Sequence, residues 1–257
     1  MRYAVHLKVA LMLALLATAS LGSPARAADP AVEAALAKNA RIKAANALIA
    51  DLNDALRASD WLRAEADSQK LIALGPLGGD RWPTYATLGG IEMKLAKYQA
   101  AVDAYDTGIG LAQAAIKPDA PAEKMNATIA SMLTSQGNAY LKLQKNAEAV
   151  AAFRKAAGLA NDGGVSYFNL CATLYNMGSM NDAIVACDDA LRADPTRADA
   201  YFIKGSALFG NGKIVAGVYT VPPGTVAALQ KYLELAPAGA HAADTKEMLK
   251  SIGVNPK

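Results

Sequence analysis

The sequence has few of the residues that enzymes most often use for catalysis. Its 257 residues include two histidines and two cysteines, and aromatic residues make up only 6%. Only His241 lies outside the first 27 residues, which leaves little material for a histidine-based dyad, metal site or serine triad. A phosphate-binding loop of the form G-x-x-x-x-G-K-[ST] is also missing. We therefore expect no catalytic activity, no metal and no cofactor.

The N-terminal segment has the pattern of a secretory signal peptide. Arg2 and Lys8 make its start positive, residues 9–16 are apolar, and Ala25 and Ala27 flank Arg26 as small residues before a cleavage site. The apolar run is too short for a membrane-spanning helix. We predict cleavage after Ala27, a periplasmic or secreted protein, and no membrane insertion once the signal is removed.

An excess of charge of either sign is absent from the remaining chain. Removal of residues 1–27 takes away three basic residues and no acidic one, which leaves 23 of each sign. The apparent basic character therefore belongs to the signal segment. Without a basic stripe, nucleic acid is not expected as a partner.

The chain does contain a repeated pattern. Residues 167–174 combine aromatic, small and leucine positions, and a second copy begins at Tyr201, about 34 residues later. Related copies surround Gly137 and Gly89, which lie farther apart than one such period. The alanine-rich composition favours helices. Self-similarity at this period is typical of a solenoid, which more often presents a surface than a catalytic centre.

Over about residues 45–237 the pattern resembles the tetratricopeptide repeat family. The resemblance implies an all-α, right-handed α-solenoid of about five helical hairpins, closed by a C-terminal capping helix. The predicted divisions are a signal peptide at 1–27, an N-terminal helix extension at 28–45, a repeat array at 46–237, and a capping helix and tail at 238–257. Hairpins are predicted at about 46–76, 82–116, 121–161, 164–197 and 198–237, the last with an insertion at 213–224.

Small residues explain how neighbouring helices could approach closely. One small residue recurs on the first helix of each clear hairpin, and an alanine recurs on the second helix, where we expect the two to meet. The first-helix positions are Gly89, Gly137, Cys171 and Gly205, and the second-helix positions are Ala64, Ala101, Ala149 and Ala183.

The two cysteines occupy facing positions about a turn centred on Gly178 and Ser179. Cys171 lies seven residues before Gly178, and Cys187 lies eight residues after Ser179. In an oxidising compartment they could form a disulfide within the hairpin. They could equally be reduced, buried core residues. The sequence leaves these two alternatives open.

The resemblance implies that the first helices of successive hairpins form a concave groove. The helical period places six apolar residues on that face: Met93, Leu141, Phe168, Tyr175, Phe202 and Phe209. Such a stripe suits an extended peptide or a partner helix, although some of these side chains could simply pack between hairpins. Asn138 and Asn169 stand where a carboxylate-binding subclass of the family has asparagines. Thr134, Asp199 and Ile203 replace its basic residues, so recognition of a terminal carboxylate is not expected.

The predicted function is therefore a non-catalytic protein-interaction module that binds a peptide or partner protein in the groove, as an envelope scaffold or adaptor. The alternative is a glycan- or small-ligand-binding module that uses the same aromatics. The insertion at 213–224 is rich in β-branched residues and predicts an extended segment. It could form a lid over the groove, present an edge to a partner, or simply pack on the end of the array. The identity of the partner and the oligomeric state are left open.

Overall fold

A computed structural model describes residues 29–75, 82–117, 121–159 and 164–255. The predicted signal peptide lies outside these residues. The described chain is helical except for one short β-hairpin. Its elements in chain order are α1 (Pro30–Arg57), α2 (Trp61–Ala73), α3 (Trp82–Lys94), α4 (Tyr98–Ala114), α5 (Glu123–Lys142), α6 (Asn146–Leu159), α7 (Gly164–Asn176), α8 (Met180–Ala193), α9 (Ala198–Gly210), β1 (Lys213–Val215), β2 (Val218–Thr220), α10 (Thr225–Leu235) and α11 (Ala242–Ser251).

The chain divides into two compact units between Ala44 and Ala45. The described part of the first unit consists almost entirely of the N-terminal half of α1, and all of its side chains are exposed. In the second unit, helices pack in consecutive pairs: α3 on α4, α5 on α6, α7 on α8, and α9 on α10. Each pair also packs on the next one through α4–α5, α6–α7 and α8–α9. The prediction of an all-α solenoid built from helical hairpins is confirmed.

Four of the helices end in the same kind of turn. The residues Ser59, Ala96, Gln144 and Gly178 all adopt the left-handed conformation, and each lies two positions before the next helix. In each turn the following N–H donates to the carbonyl five residues back, as Lys97 donates to Glu92 and Ser179 donates to Leu174. This Schellman arrangement satisfies carbonyls that the helix end would otherwise leave unpaired. The repeated turn means that the first helix is joined to the second in the same way in each of these hairpins.

The glycines of the first helices do admit a close neighbour, and the side chain nearest to Gly89 and to Gly137 is an aromatic ring, which the sequence pattern did not single out. A Cβ added to Gly89 would lie 2.8 Å from the ring of Tyr105, and one added to Gly137 would lie 2.5 Å from the ring of Phe153. The predicted alanines are fully buried, yet the rings lie nearest to the glycines. Each ring lies 16 residues after its glycine. The predicted alanine, Ala101 or Ala149, lies one helical turn before the ring. A bulky side chain thus fills the space that each glycine leaves.

Cys171 and Cys187 occupy the same two positions in the hairpin of α7 and α8. They are separated by 16 residues, as each glycine is from its ring, and both are fully buried. The structure joins them as a disulfide, with the sulfurs 1.97 Å and the Cα atoms 4.9 Å apart. A covalent bond therefore stands where the neighbouring hairpins have a glycine and an aromatic ring.

The insertion in the last hairpin forms a two-stranded antiparallel ribbon. Lys213 of β1 pairs with Thr220 of β2, and the chain reverses at Ala216 and Gly217, both in the left-handed conformation. Two consecutive residues with positive φ are what a type I′ hairpin turn requires. The extended segment expected at 213–224 is thus a β-hairpin. Because it intervenes, Gly205 meets Leu229 of α10 at a longer sequence separation than in the earlier hairpins.

The C-terminal helix α11 packs on α10. Its buried residues Ala242 and Leu249 join Leu229, Tyr232 and Leu233 in one apolar cluster. The polar residues Asp244, Lys246 and Glu247 are exposed. The helix therefore covers the apolar side of α10 and turns a polar side to solvent.

Candidate functional site

The predicted groove residues fall at two repeated positions of the first helices. Four of them lie four residues after the small residue of their hairpin, and they are Met93, Leu141, Tyr175 and Phe209. The other two, Phe168 and Phe202, lie three residues before it. All six side chains are half-buried. Met93, Leu141, Tyr175 and Phe202 also pack at the margins of the apolar clusters. Each therefore contributes to the core and still presents part of its surface.

Phe168 is covered in part by an arginine from the loop that precedes α9. The guanidinium of Arg197 lies over the ring, 5.0 Å from its centre. The same guanidinium forms an ion pair with Asp194 at 3.2 Å. Contact between a cation and a ring face is worth about 0.5–2 kcal/mol, depending on exposure. Arg197 was not predicted, because its contact with Phe168 depends on the path of the chain between hairpins.

Phe202 and Phe209 also have aromatic partners. The ring of Phe202 stacks on His241 with centroids 4.0 Å apart and planes within 3°, and Tyr232 lies 5.5 Å away. Phe209 lies 5.3 Å from Tyr219 of the insertion, whose hydroxyl donates to the Phe209 carbonyl. One face of Phe202 is thus covered by His241, whereas Tyr219 meets Phe209 with the two ring planes tilted by 57°. These two rings therefore pack against other side chains of the protein, which was one of the alternatives for the groove residues. The insertion contacts Phe209 through Tyr219.

A polar pocket lies beside Leu141. It has a volume of about 310 Å³ and is lined by α5, α6 and α7 through Leu141, Asn146, Asn169, Ala172, Thr173 and Asn176. The Thr173 hydroxyl donates to the Asn169 carbonyl at 2.7 Å, which fixes this hydroxyl within its helix. The three asparagine amides each carry a donor and an acceptor, as a peptide backbone does. Of these polar residues, only Asn169 was considered from the sequence.

Three positions that would carry basic residues on a carboxylate-binding surface carry other residues in this protein. Thr134 instead bonds with Ser166 through their hydroxyls at 2.8 Å, which links α5 to α7. Asp199 is exposed, and Ile203 packs against the apolar cluster of α7 and α8. These three positions therefore supply no positive charge to this part of the surface.

A second cavity, of about 450 Å³, lies among α4, α5 and α6. Its lining combines the apolar Ile109 and Leu133 with Asp106, Arg154 and Lys155. None of the predicted groove residues belongs to it. The sequence pattern did not indicate this cavity, because its charged residues come from second helices, where charged residues are ordinarily exposed to solvent.

Within the described residues, the largest shift of a side-chain pKa is that of Glu92, at the junction of α2 and α3. Burial, and secondly the charge of Glu65, raises the pKa of Glu92 to about 7, against the opposing effect of Lys97. Glu92 is 5% exposed and its Oε2 has no hydrogen-bond partner. Lys97 instead donates to both carboxylate oxygens of Glu65, at 2.7 and 2.6 Å. Glu92 is therefore a buried proton-binding group beside an ion pair.

Within the described ranges, histidine, cysteine and acidic side chains form no group of three or more that could hold a metal ion. In the same part of the chain, no helix combines the length and the hydropathy that a membrane span requires.

Comparison with known proteins shows which repeat the chain resembles. Residues 130–162, which cover most of α5 and α6, match the family model of the tetratricopeptide repeat. No curated protein matches the chain closely enough in sequence to indicate a relationship.

Solved structures of tetratricopeptide repeat (TPR) proteins share the fold. YrrB, described as a TPR protein with an unusual peptide-binding site, is 17% identical, with 76% of this chain and 88% of YrrB covered at a TM-score of 0.57. MamA is 18% identical, with 78% and 94% covered at a TM-score of 0.59. A TPR protein from Parabacteroides merdae is 13% identical, with 81% and 75% covered at a TM-score of 0.62. The predicted resemblance to TPR proteins is confirmed at the level of the fold.

Proposed function

We propose that the protein is a non-catalytic interaction module that binds an extended segment of a partner protein along the first helices of its hairpins. One observation carries the proposal. Met93, Leu141, Tyr175 and Phe209 occupy the same position in four successive hairpins, and all four are half-buried. Equivalent positions in stacked repeats lie on the same side of the stack. A row of apolar anchors on one side fits an extended peptide better than a compact small molecule.

The polar pocket supplies hydrogen-bonding groups, which the row of apolar anchors lacks. An extended peptide has unpaired backbone N–H and C=O groups, and leaving them unsatisfied on binding costs about 1–3 kcal/mol each. Asn146, Asn169 and Asn176 border the pocket next to Leu141. Their amides can donate to and accept from a peptide backbone without selecting its sequence. In this arrangement Leu141 and Tyr175 anchor peptide side chains, while the amides hold the backbone.

The alternative of glycan or small-ligand binding has less support. A sugar that stacks on an aromatic ring needs a free ring face close to clustered polar groups. Phe202 has His241 against one face, and Phe209 has Tyr219 beside it. Only Tyr175 and Phe168 lie close in sequence to the asparagines, and Arg197 covers part of Phe168. The row of anchors spans several hairpins, which is the footprint of a peptide.

The proposed site of action is the bacterial envelope, where the protein would serve as a scaffold or adaptor in the periplasm or after secretion. The signal-like segment at 1–27 supports export, and the Cys171–Cys187 bridge suits an oxidising compartment. Sequencing the N-terminus of the mature protein tests this point directly. We expect it to begin at Ala28, and a mature protein that still begins at Met1 would contradict export by cleavage.

The interaction itself is tested by site-specific capture. A photo-reactive amino acid replaces Tyr175 in one variant and Val185 in the other. Val185 is 63% exposed on α8, a second helix, and is therefore a matched control. We expect a partner to be captured in the producing cells from position 175 and not from position 185. Equal capture from both positions would contradict a groove on the first helices.

Affinity measurements then define the footprint. A synthetic peptide that covers the cross-linked segment of the partner is titrated against Tyr175→Ala, Leu141→Ala and the control Val185→Ala. Loss of either anchor should weaken binding at least about tenfold, equivalent to about 1.4 kcal/mol, and the control should bind like the wild type. If Phe202→Ala weakens binding strongly while Leu141→Ala does not, the site is local to the last hairpin and the extended arrangement is wrong.

A further inference from the structure

The cavity of about 450 Å³ among α4, α5 and α6 is separate from the proposed peptide groove. Helices α4 and α6 both pack on α5, so α5 forms the floor of the cavity and the two second helices form its walls. None of the groove anchors lines it. A volume of a few hundred Å³ that combines apolar side chains with a few polar groups is typical of a small-molecule site.

The two walls of this cavity carry charges of opposite sign. Asp106 lies on α4, and Arg154 and Lys155 lie on α6. All three side chains are exposed. Within the described residues, none of the three takes part in a salt bridge. The cavity is therefore complementary to a ligand with a positive group at one end and a negative group at the other.

The floor between the walls combines apolar side chains with one amide. Ile109 and Leu133 are 7% and 6% exposed, and Gln136 is 5% exposed. The Nε2 of Gln136 donates to the carbonyl of Val102 at 3.4 Å, and within the described residues its amide oxygen accepts no hydrogen bond. Buried polar groups normally have a partner. An N–H group of a ligand seated on the floor would supply one.

The equivalent space in the next repeat is smaller and less polar. The cavity among α6, α7 and α8 has a volume of about 240 Å³. Tyr167 and Leu170 line it at the positions that Leu133 and Gln136 occupy one repeat earlier. On the wall of the larger cavity, a Cβ added to Gly158 would meet no atom within 4 Å. Smaller side chains and an amide thus distinguish the larger cavity within the array itself.

We propose that this cavity binds a short zwitterionic peptide with apolar side chains. Its ammonium group lies at Asp106, and its carboxylate lies at Arg154 and Lys155. Its apolar side chains contact the floor, and its peptide N–H donates to the amide oxygen of Gln136. A dipeptide has one such N–H and spans about 7 Å. A simple anion without a positive end is disfavoured, because Asp106 would repel it.

Calorimetric titration with the dipeptide Leu-Leu tests the pairing of charges. N-acetyl-Leu-Leu lacks the positive end, and the amide of Leu-Leu lacks the negative one. Each should bind about two- to fivefold more weakly than Leu-Leu, which is the effect of one exposed ion pair. Asp106→Asn should abolish the effect of acetylation and keep the effect of amidation. Absence of Leu-Leu binding up to about 10 mM, or discrimination against the acetylated form that persists in Asp106→Asn, would overturn the proposal.

Filling the cavity tests its location. Gly158→Leu introduces a side chain at an uncrowded position of the wall and should weaken Leu-Leu binding at least about tenfold, with the circular dichroism of the wild type. Gly110→Leu is the matched control. Gly110 precedes Gly158 by the same number of residues as Gly89 precedes Gly137, it is equally uncrowded, and it does not line the cavity. It should bind like the wild type, and equal binding by both variants would contradict the site.

A groove variant distinguishes this cavity from the proposed peptide groove. Tyr175→Ala removes an anchor of the groove and should leave the affinity for Leu-Leu unchanged. If Tyr175→Ala abolishes Leu-Leu binding while Gly158→Leu does not, the dipeptide occupies the groove and the inference about the cavity is wrong. The reverse result supports the cavity, whatever the outcome of partner capture at position 175.

Discussion

Two neighbouring hairpins solve the same packing problem in different ways. In the hairpin of α5 and α6, Gly137 leaves a space that the fully buried ring of Phe153 fills. In the hairpin of α7 and α8, Cys171 and Cys187 occupy the equivalent positions and are joined covalently. The separation along the chain is 16 residues in both. The geometry of the hairpin is therefore kept while the source of its stability changes.

This difference shows which property of the repeat is fixed. Glycine with phenylalanine and cysteine with cysteine share little chemistry, but both sets fit between two helices that approach closely. The stability of the first pair comes from burial of apolar area and dense contacts. The stability of the second comes largely from restriction of the unfolded chain. The two hairpins should accordingly respond in opposite ways to a larger side chain and to a reductant.

The largest expected effect is that of filling the glycine space. Gly137→Val should destabilise the protein by about 4 kcal/mol, because the added carbons collide with the ring of Phe153, which is itself fully buried. Urea unfolding followed by circular dichroism measures the change. Gly110→Val is the matched control, since a Cβ on Gly110 in α4 meets nothing within 4 Å. It should change the free energy of unfolding by less than about 0.5 kcal/mol. Equal effects at both positions would contradict the close contact.

Next in size is loss of the bridge between α7 and α8. A free-thiol assay on unfolded, non-reduced protein should find no reactive thiol, and two thiols would show that the bridge is absent. The double variant Cys171→Ala with Cys187→Ala should lose about 3 kcal/mol of stability, the value expected for a closed loop of this length. Reduction of the wild type should produce a similar loss, whereas the variant should not respond to the reductant.

A third variant transfers the glycine–phenylalanine packing of one hairpin into the other. Cys171→Gly with Cys187→Phe rebuilds in α7 and α8 the arrangement found in α5 and α6. It should recover at least about 1 kcal/mol relative to the double alanine variant, because the ring restores buried apolar area. Its unfolding should also be independent of reductant. If it is no more stable than the double alanine variant, the two hairpins are not geometrically equivalent.

The last of these effects depends on pH and concerns the junction of α2 and α3. Because the pKa of Glu92 is raised to about 7, the folded protein holds this proton more tightly than the unfolded chain does. The contribution of Glu92 to the stability of the fold is therefore greatest below about pH 4.5. It decreases as the pH rises through 7 and stays low at higher pH. Glu92→Gln should be more stable than the wild type by roughly 2–3 kcal/mol at pH 8 and by less than about 1 kcal/mol at pH 5.

Thermal unfolding at the two pH values measures this effect. Glu247→Gln removes a charge from an exposed position of α11 and serves as the control, with the same small change at both pH values. If Glu92→Gln and Glu247→Gln show the same pH dependence, the proton is not held at Glu92.

Contacts within one repeat could be predicted from the sequence, whereas contacts between irregular segments could not. The repeat period places the helices, because each hairpin must bury an apolar stripe against the next. The same spacing brought Cys171 opposite Cys187. It did not single out the ring nearest to Gly89 or to Gly137, because a buried alanine one helical turn earlier is also consistent with close packing.

The partners of the groove aromatics lie outside the repeated pattern. Arg197 reaches Phe168 from a loop, and His241 reaches Phe202 from the start of the closing helix. Neither contact follows from hydrophobic periodicity, which reports the face of a helix and not the path of the chain beyond it. Asn146 and Asn176 of the polar pocket were missed for a related reason. Single amides on a helix surface carry no signal until the packing of α6 on α7 brings them together.

The β-hairpin at 213–220 makes the last repeat a natural acceptor for foreign sequence. Because β1 and β2 pair along their length, the chain leaves the array and returns to it within a few ångströms. A grafted loop at Ala216 and Gly217 would therefore impose almost no new end-to-end constraint on α9 and α10. An epitope or a fluorescent reporter could be inserted there and followed in living cells, with the anchors on the earlier hairpins left intact.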